Sequence, residues 1–320
     1  MSPRKLTYSF ATFLLLLALA LLGGANYLLN YALKPGDRSR NEALAWHEVD
    51  SLYPGMKQWR DSLLASQQLR DTTIISPQND TLHAWYLRAS HPTAATAILV
   101  HGYTDCGIRM MPLGRMYHDA LHMNILIPDL YNAGRSSGDH FQMGWNDRHD
   151  IKRWITNAAP QLFGDSIRIV VHGVSMGAAT TMMLSGDANV SHNVMAYVED
   201  CGYTSVDEQF SKELNERFNL PQWPLIPIAS QLCQWRYGWN FYEASALKQI
   251  SKCKRPMLFI HGDADKFVPT YMVYSLYKAK PNPKVLWVAP NAEHAHSFLR
   301  HQKTYTHKVH LFLTQYGVLK

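Results

Sequence analysis

The chain has 320 residues, of which 47% are hydrophobic, enough for one large domain with a sizeable core plus an appendage. Its formal net charge is +6, but the 31 Lys and Arg residues are scattered with no run of five, so no nucleic-acid surface is indicated. Four cysteines are too few for a disulfide scaffold, and without a Cys-x-x-Cys spacing they give no zinc or redox motif.

Residues 6–33 carry no charge, and 10–22 are almost wholly Leu, Ala and Phe, preceded by Arg4 and Lys5. Residues 1–33 therefore read as a membrane-targeting segment. Its uncharged length favours a retained anchor facing an extracytoplasmic space. The small residues Gly23, Gly24 and Ala25 leave cleavage open, which would release a secreted or periplasmic protein. No cysteine follows the apolar run to carry a lipid. Positive residues flank it on both sides, with Lys34, Arg38 and Arg40 after it, so the positive-inside rule orients it weakly.

Residues 34–70 are polar with helical patches and read as a stalk or lead-in packed on the domain that follows, 71–320. That domain opens with a hairpin signature: an apolar run at 72–76, a turn at Pro77-Gln78-Asn79-Asp80, and a second run at 82–87. From Ala97 onward apolar strands alternate with segments of helical period, which predicts a parallel sheet covered on both faces. Strands are expected near 97–101, 124–128, 167–172, 194–199, 256–261 and 284–289. His118 and His122, with Asp119 between them, read as the solvated face of a helix. Between 204 and 251 the alternation breaks, and Trp223 and Trp235 stand among its aromatics. Cys233 and Cys253 leave a bridge open across this region in an oxidising compartment.

The most informative stretch is Gly173-Val174-Ser175-Met176-Gly177, directly after the apolar run 167–172. A serine at the tip of a sharp strand-to-helix turn needs small neighbours, because strand and helix pass close together. The turn lifts the hydroxyl clear of the sheet and aims the Met176 amide at whatever the hydroxyl attacks. Such a serine requires a base, and an acid to hold that base, arriving later in the chain in the order acid, then histidine. Downstream, one strand runs into His261-Gly262-Asp263-Ala264-Asp265 and the next into Ala292-Glu293-His294. Upstream, a strand ends in His101-Gly102-Tyr103, a loop able to supply a second amide to an oxyanion.

On these motifs residues 72–314 resemble the α/β-hydrolase family. More narrowly they resemble its single-domain serine hydrolases with an exported or anchored N-terminus, akin to esterases and serine aminopeptidases. The resemblance implies a mostly parallel sheet of about eight strands with helices on both faces, and a small helical cap at about 204–251 between strands six and seven. It implies Ser175 as nucleophile, His294 as base, Asp265 as acid and the amides of Tyr103 and Met176 as the oxyanion hole, with no cofactor and no metal. The aromatics of that stretch, Phe210, Trp223, Trp235, Tyr237 and Trp239 among them, would then line an acyl pocket or glue the cap to the domain. Many relatives carry Arg-Gly-His-Gly after strand four where this chain has 129–136, a loop that borders the substrate cleft.

Alternatives stand beside these residues. Asp200, at the end of strand six, is a second place from which this fold draws its acid, and His296 lies two residues beyond His294. Asp263 is a turn residue, and His101, His172 and His261 read as polar residues beneath the site. The activity expected is hydrolysis of an ester, thioester or amide acyl bond in a small-molecule or peptide substrate. Esterase is preferred because no acidic pair to grip an amino terminus stands out in the cap. Glu208, Glu213, Glu216 and Glu243 keep an aminopeptidase open, and a catalytically silent binding protein is the rival from another class.

Overall fold

The computed structural model describes residues 3–34 and 36–320; the first two residues of the expected anchor and Pro35 of the lead-in lie outside the described residues. Eight strands form one sheet in the order β1-β2-β4-β3-β5-β6-β7-β8. They are β1 (Arg70–Ile75), β2 (Thr81–Leu87), β3 (Ala95–Val100), β4 (Asn124–Pro128), β5 (Arg168–Val174), β6 (Val194–Asp200), β7 (Met257–Gly262) and β8 (Lys284–Ala289). The pairs β1·β2 and β2·β4 are antiparallel, and the rest are parallel. β3, β4 and β7 are buried along their whole length, the condition that makes a strand read as an unbroken apolar run. Each strand expected from the sequence is present, with its ends within two residues of the expected ones.

Helices cover both faces. After the N-terminal α1 (Pro3–Leu33) come α2 (Glu42–Leu52), α3 (Met56–Ala65), α4 (Met111–Arg115), α5 (Asp147–Arg153), α6 (Ala159–Phe163) and α7 (Met176–Ser185). The chain continues through α8 (Val206–Phe218), α9 (Leu225–Tyr237), α10 (Ala246–Ile250), α11 (Tyr271–Ala279) and α12 (Ser297–Gln315). Helices α2 and α3 bury Ala45, Val49, Met56 and Leu63 in the same core layer as Phe312 and Leu313 of α12, so the lead-in is part of the domain wall. Helices α8 to α10 fill the stretch between β6 and β7.

Helix α1 behaves as two halves. Every side chain from residue 7 to 20 is exposed, and the helix is long and apolar enough to cross a membrane. Ala25, Leu29 and Leu33, spaced at i, i+4 and i+8 along one face, are instead buried in the domain core. At Gly24 the helix meets α9, where a Cβ would lie 3.7 Å from Leu225 Cδ2. Its end is fastened by the Phe141 amide, which donates to the Leu33 carbonyl at 2.8 Å. Full burial of Leu29 and Leu33 contributes about 2 kcal/mol each. The stretch up to residue 20 thus stands clear of the domain, and from Ala25 one face of the helix packs into it.

Two smaller expectations also change. His118 is buried, with Nδ1 2.6 Å from Asp119 and Nε2 3.1 Å from the Arg88 carbonyl, because a wide π-type turn over Met116–Ala120 rotates it inward; His122 remains exposed. All four cysteines are free, buried thiols, and Cys233 and Cys253 form no bridge.

Candidate active site

Ser175 stands between the last residue of β5 and the first of α7, with φ 57° and ψ −119°. A non-glycine residue holds a positive φ only where its surroundings over-determine it. Here its amide donates to the Asp200 carbonyl at 2.8 Å. A Cβ on Gly173 would fall 2.0 Å from the Gly177 carbonyl oxygen, and one on Gly177 would fall 2.0 Å from that of Val100. No side chain fits at either position, which is the physical content of the small flanks read in the sequence.

His294, in the turn after β8, places Nε2 2.8 Å from Ser175 Oγ and Nδ1 2.7 Å from Asp265 Oδ2. Asp265 Oδ1 accepts from the amides of Phe267 and Val268, both at 2.9 Å. Burial opposes the charge on Asp265, but hydrogen bonds from His261 and His294, with the Val268 amide, hold its pKa down at about 2. An ionised Asp265 only accepts, so the His294 proton sits on Nδ1. Nε2 is then left free to accept from the serine hydroxyl.

The competing residues point elsewhere. Asp200 accepts from Tyr305 at 2.9 Å, and burial pushes its pKa up to about 6. The same Tyr305 hydroxyl lies 2.9 Å from His172 Nε2, whose Nδ1 lies 2.9 Å from the Tyr117 hydroxyl, making a buried polar chain under the sheet end. His296 turns outward toward Glu293, 3.7 Å away. Asp263 accepts from the Asn291 amide and ties one turn to the next. His101 Nε2 accepts from the Leu130 amide at 2.9 Å, and His261 Nε2 donates to the Val268 carbonyl at 2.8 Å. Among the described residues Cys201, Asp265 and His294 lie close enough to share a metal ion. In this arrangement Asp265 and His294 are already committed to one another and to Ser175.

Met176 opens α7, so its amide lies ahead of the helix ladder and has no carbonyl one turn back to bond. Tyr103 follows Gly102, which packs against Ser175 so closely that a Cβ there would lie 3.4 Å from the serine Cβ. The Tyr103 hydroxyl donates to the Ala32 carbonyl of α1 at 2.6 Å. The loop that carries this amide is thereby tied to the N-terminal helix.

Beside Ser175 opens a cavity of about 470 Å³. Phe210, Leu214 and Phe218 of α8, Ile226 of α9 and Phe241 form one side of it, and Leu28, Leu29 and Ala32 of α1 form another. Trp223 and Trp235 do not line it; they are 74% and 72% exposed. Trp223 precedes α9, and Trp235 lies on the face of α9 away from the buried Ile226, Ala229 and Cys233. The expectation is corrected for these two alone: of the other aromatics in the stretch, Phe210 lines the cavity and Trp239 is fully buried. The sequence missed the wall from α1, because a helix apolar all round does not reveal which side meets protein. The loop 129–136 lies outside the cavity as well. Gly134 donates to the Ser39 carbonyl at 2.9 Å and Arg135 pairs with Glu42, so this loop clamps the lead-in.

Under the site, Glu199 is fully buried and accepts from the Gly202 amide at 3.0 Å. Burial raises its pKa from 4.5 to about 8. Between those values the folded state holds a proton that the unfolded state has lost, so this residue makes stability fall as pH rises from about 4.5 to about 8. Glu199→Gln keeps the acceptor and removes the titration. The variant is expected to lose less of its denaturation midpoint than the parent between pH 5 and pH 8. Equal losses in the two proteins would clear Glu199 of this role.

The family model of the prolyl oligopeptidase family matches residues 135–317. The chain is 34% identical over 228 residues to YqkD, an uncharacterized protein of Bacillus subtilis, covering 71% of this chain and 74% of that one. It is 21% identical over 249 residues to an uncharacterized membrane protein of Saccharomyces cerevisiae, covering 77% and 80%. Among solved structures, the esterase Pf2001 of Pyrococcus furiosus superposes with a TM-score of 0.62 at 22% identity, covering 78% of this chain and 92% of the esterase. The elbow, the sheet order and the matched family together place the chain: it belongs to the prolyl oligopeptidase family and is a serine hydrolase on the α/β-hydrolase fold.

Proposed function

We propose that the chain hydrolyses carboxylic esters through an acyl-enzyme intermediate. The observation that carries this is the unbroken path from Ser175 Oγ through His294 to the ionised Asp265, at 2.8 and 2.7 Å. Ser175 attacks the ester carbonyl while His294 Nε2 takes its proton, and Asp265 stabilises the imidazolium that results. The amides of Tyr103 and Met176 receive the oxyanion. His294 returns the proton to the leaving alcohol, and water repeats the sequence to free the acid.

The family match keeps a peptidase as the second reading. The acidic residues that would grip a substrate amino terminus are otherwise occupied, which supports the ester. Glu213 pairs with Arg217 and Lys212, Glu216 with Lys212, Glu208 bonds Thr204 and Tyr271, and Glu243 accepts from the Asn240 amide. The exposed half of α1 supports a second element of the proposal: the chain is retained on a membrane.

One experiment tests both. Membranes carrying the full chain are washed with alkaline carbonate, labelled with a fluorophosphonate and supplied with nitrophenyl esters and aminoacyl anilides. A labelled full-length band in the pellet with ester turnover is expected. Preferred turnover of the anilides would overturn the ester reading, and a soluble product beginning near Asn26 would overturn the anchor.

A further inference from the structure

From Leu6, the first residue past Arg4 and Lys5, to Gly23, α1 rises about 27 Å at 1.5 Å per residue, close to the roughly 30 Å of a hydrocarbon core. No spare length separates that span from the domain, since the same unbroken helix meets Leu225 at Gly24. Leu28 lies only about 6 Å further along the axis, in the cavity wall beside Ser175. Trp223, two residues before that meeting point, is largely exposed where the helix leaves the domain, the depth at which tryptophan concentrates in membrane proteins. The helix that stands in the bilayer and the helix that lines the cavity are one.

We infer that α1 is a wall of the acyl site as well as an anchor, and that the substrate is a bilayer-resident ester whose long acyl chain lies along Leu28, Leu29 and Ala32. The inference rests on the ester-hydrolase reading above. An acyl chain leaving the membrane beside α1 passes from lipid to an apolar wall without crossing water. The apolar side chains of α8 on the far side of the cavity hold it, with its carbonyl at Ser175. The Tyr103 hydroxyl bond to Ala32 keeps the oxyanion loop in register with that wall. Chain-length preference is then encoded partly in the anchor, a segment otherwise read as a tether.

The test uses the full chain in phosphatidylcholine vesicles and fluorogenic esters of one alcohol with acetyl to palmitoyl chains. The long-chain ester is placed either in the same vesicles as the protein or in separate ones. Leu28→Trp is expected to lower the ratio of kcat/KM for the palmitoyl ester to that for the acetyl ester by about tenfold or more. Leu16→Trp, on the exposed half, is expected to leave that ratio unchanged. The palmitoyl ester is expected to turn over at least about tenfold faster in the protein's own vesicles than in separate ones. Fluorophosphonate labelling of Ser175 reports folding of each variant, and Leu28→Phe, with the same expected direction, replaces any Leu28→Trp protein that fails to label. An unchanged ratio in a variant that labels, or equal turnover in shared and separate vesicles, would overturn the inference and leave the ester reading standing. Absence of both labelling and acetyl-ester turnover in the parent would overturn the ester reading itself, and this inference with it.

Discussion

Ser175→Ala is expected to lower ester turnover on the order of a million-fold, the loss that accompanies removal of an activated nucleophile, and to abolish fluorophosphonate labelling. The size follows from the geometry. The hydroxyl stands at the elbow tip, it lies 2.8 Å from His294 Nε2, and the strained φ of 57° serves its position. Alanine fits the same turn, so the variant should unfold at a temperature close to the parent's. What turnover remains would come from the two amides and the cavity acting on water. Steady-state turnover with circular dichroism on the purified variant makes the check, and a folded variant with undiminished labelling would refute the assignment.

The second large effect is expected from His294→Ala and Asp265→Asn, each lowering turnover by roughly ten-thousand-fold. Asp265→Asn puts an amide in place of a carboxylate held at a pKa of about 2, and the proton is then no longer fixed on His294 Nδ1. With the other tautomer populated, Nε2 carries a proton and ceases to accept from Ser175. His296→Ala and Asp200→Asn provide the contrast. His296 faces Glu293 at the surface, and Asp200 is bonded to Tyr305, so the first should change turnover little and the second should act on stability. Turnover more sensitive to either of these changes than to His294→Ala or Asp265→Asn, with the fold unaltered, would reassign that member.

The strands and the elbow were legible because they depend on local chemistry. A fully buried parallel strand must be apolar throughout, as β3, β4 and β7 are, and crowding at the elbow admits nothing larger than glycine at 173 and 177. The three residues placed together by the fold were legible for a related reason, since each lies just past the end of a strand, where a sheet of this kind gathers its polar groups. The division of α1 was not legible. Leu14 and Leu29 are the same residue in the same helix, one 46% exposed and the other 1%, and only the packing of the domain against the second half distinguishes them. Trp223 and Trp235 misled for the converse reason: aromatic content says that a surface is covered by something, and does not say whether by protein. The inward turn of His118 depends on a π-type widening that no periodicity announces.

The meeting of α1 with α9 also fixes an order of events during synthesis. Gly24 leaves the ribosome about 200 residues before Leu225, which at roughly 5–20 residues per second is an interval of about ten seconds or more. Throughout it the helix lacks the α9 surface that it meets at Gly24, and its apolar face there waits among lipid tails or in the grip of a chaperone. That side of the cavity therefore closes only after most of the domain is made. A ribosome stalled before the end of α9 would carry a finished elbow whose pocket still lies open.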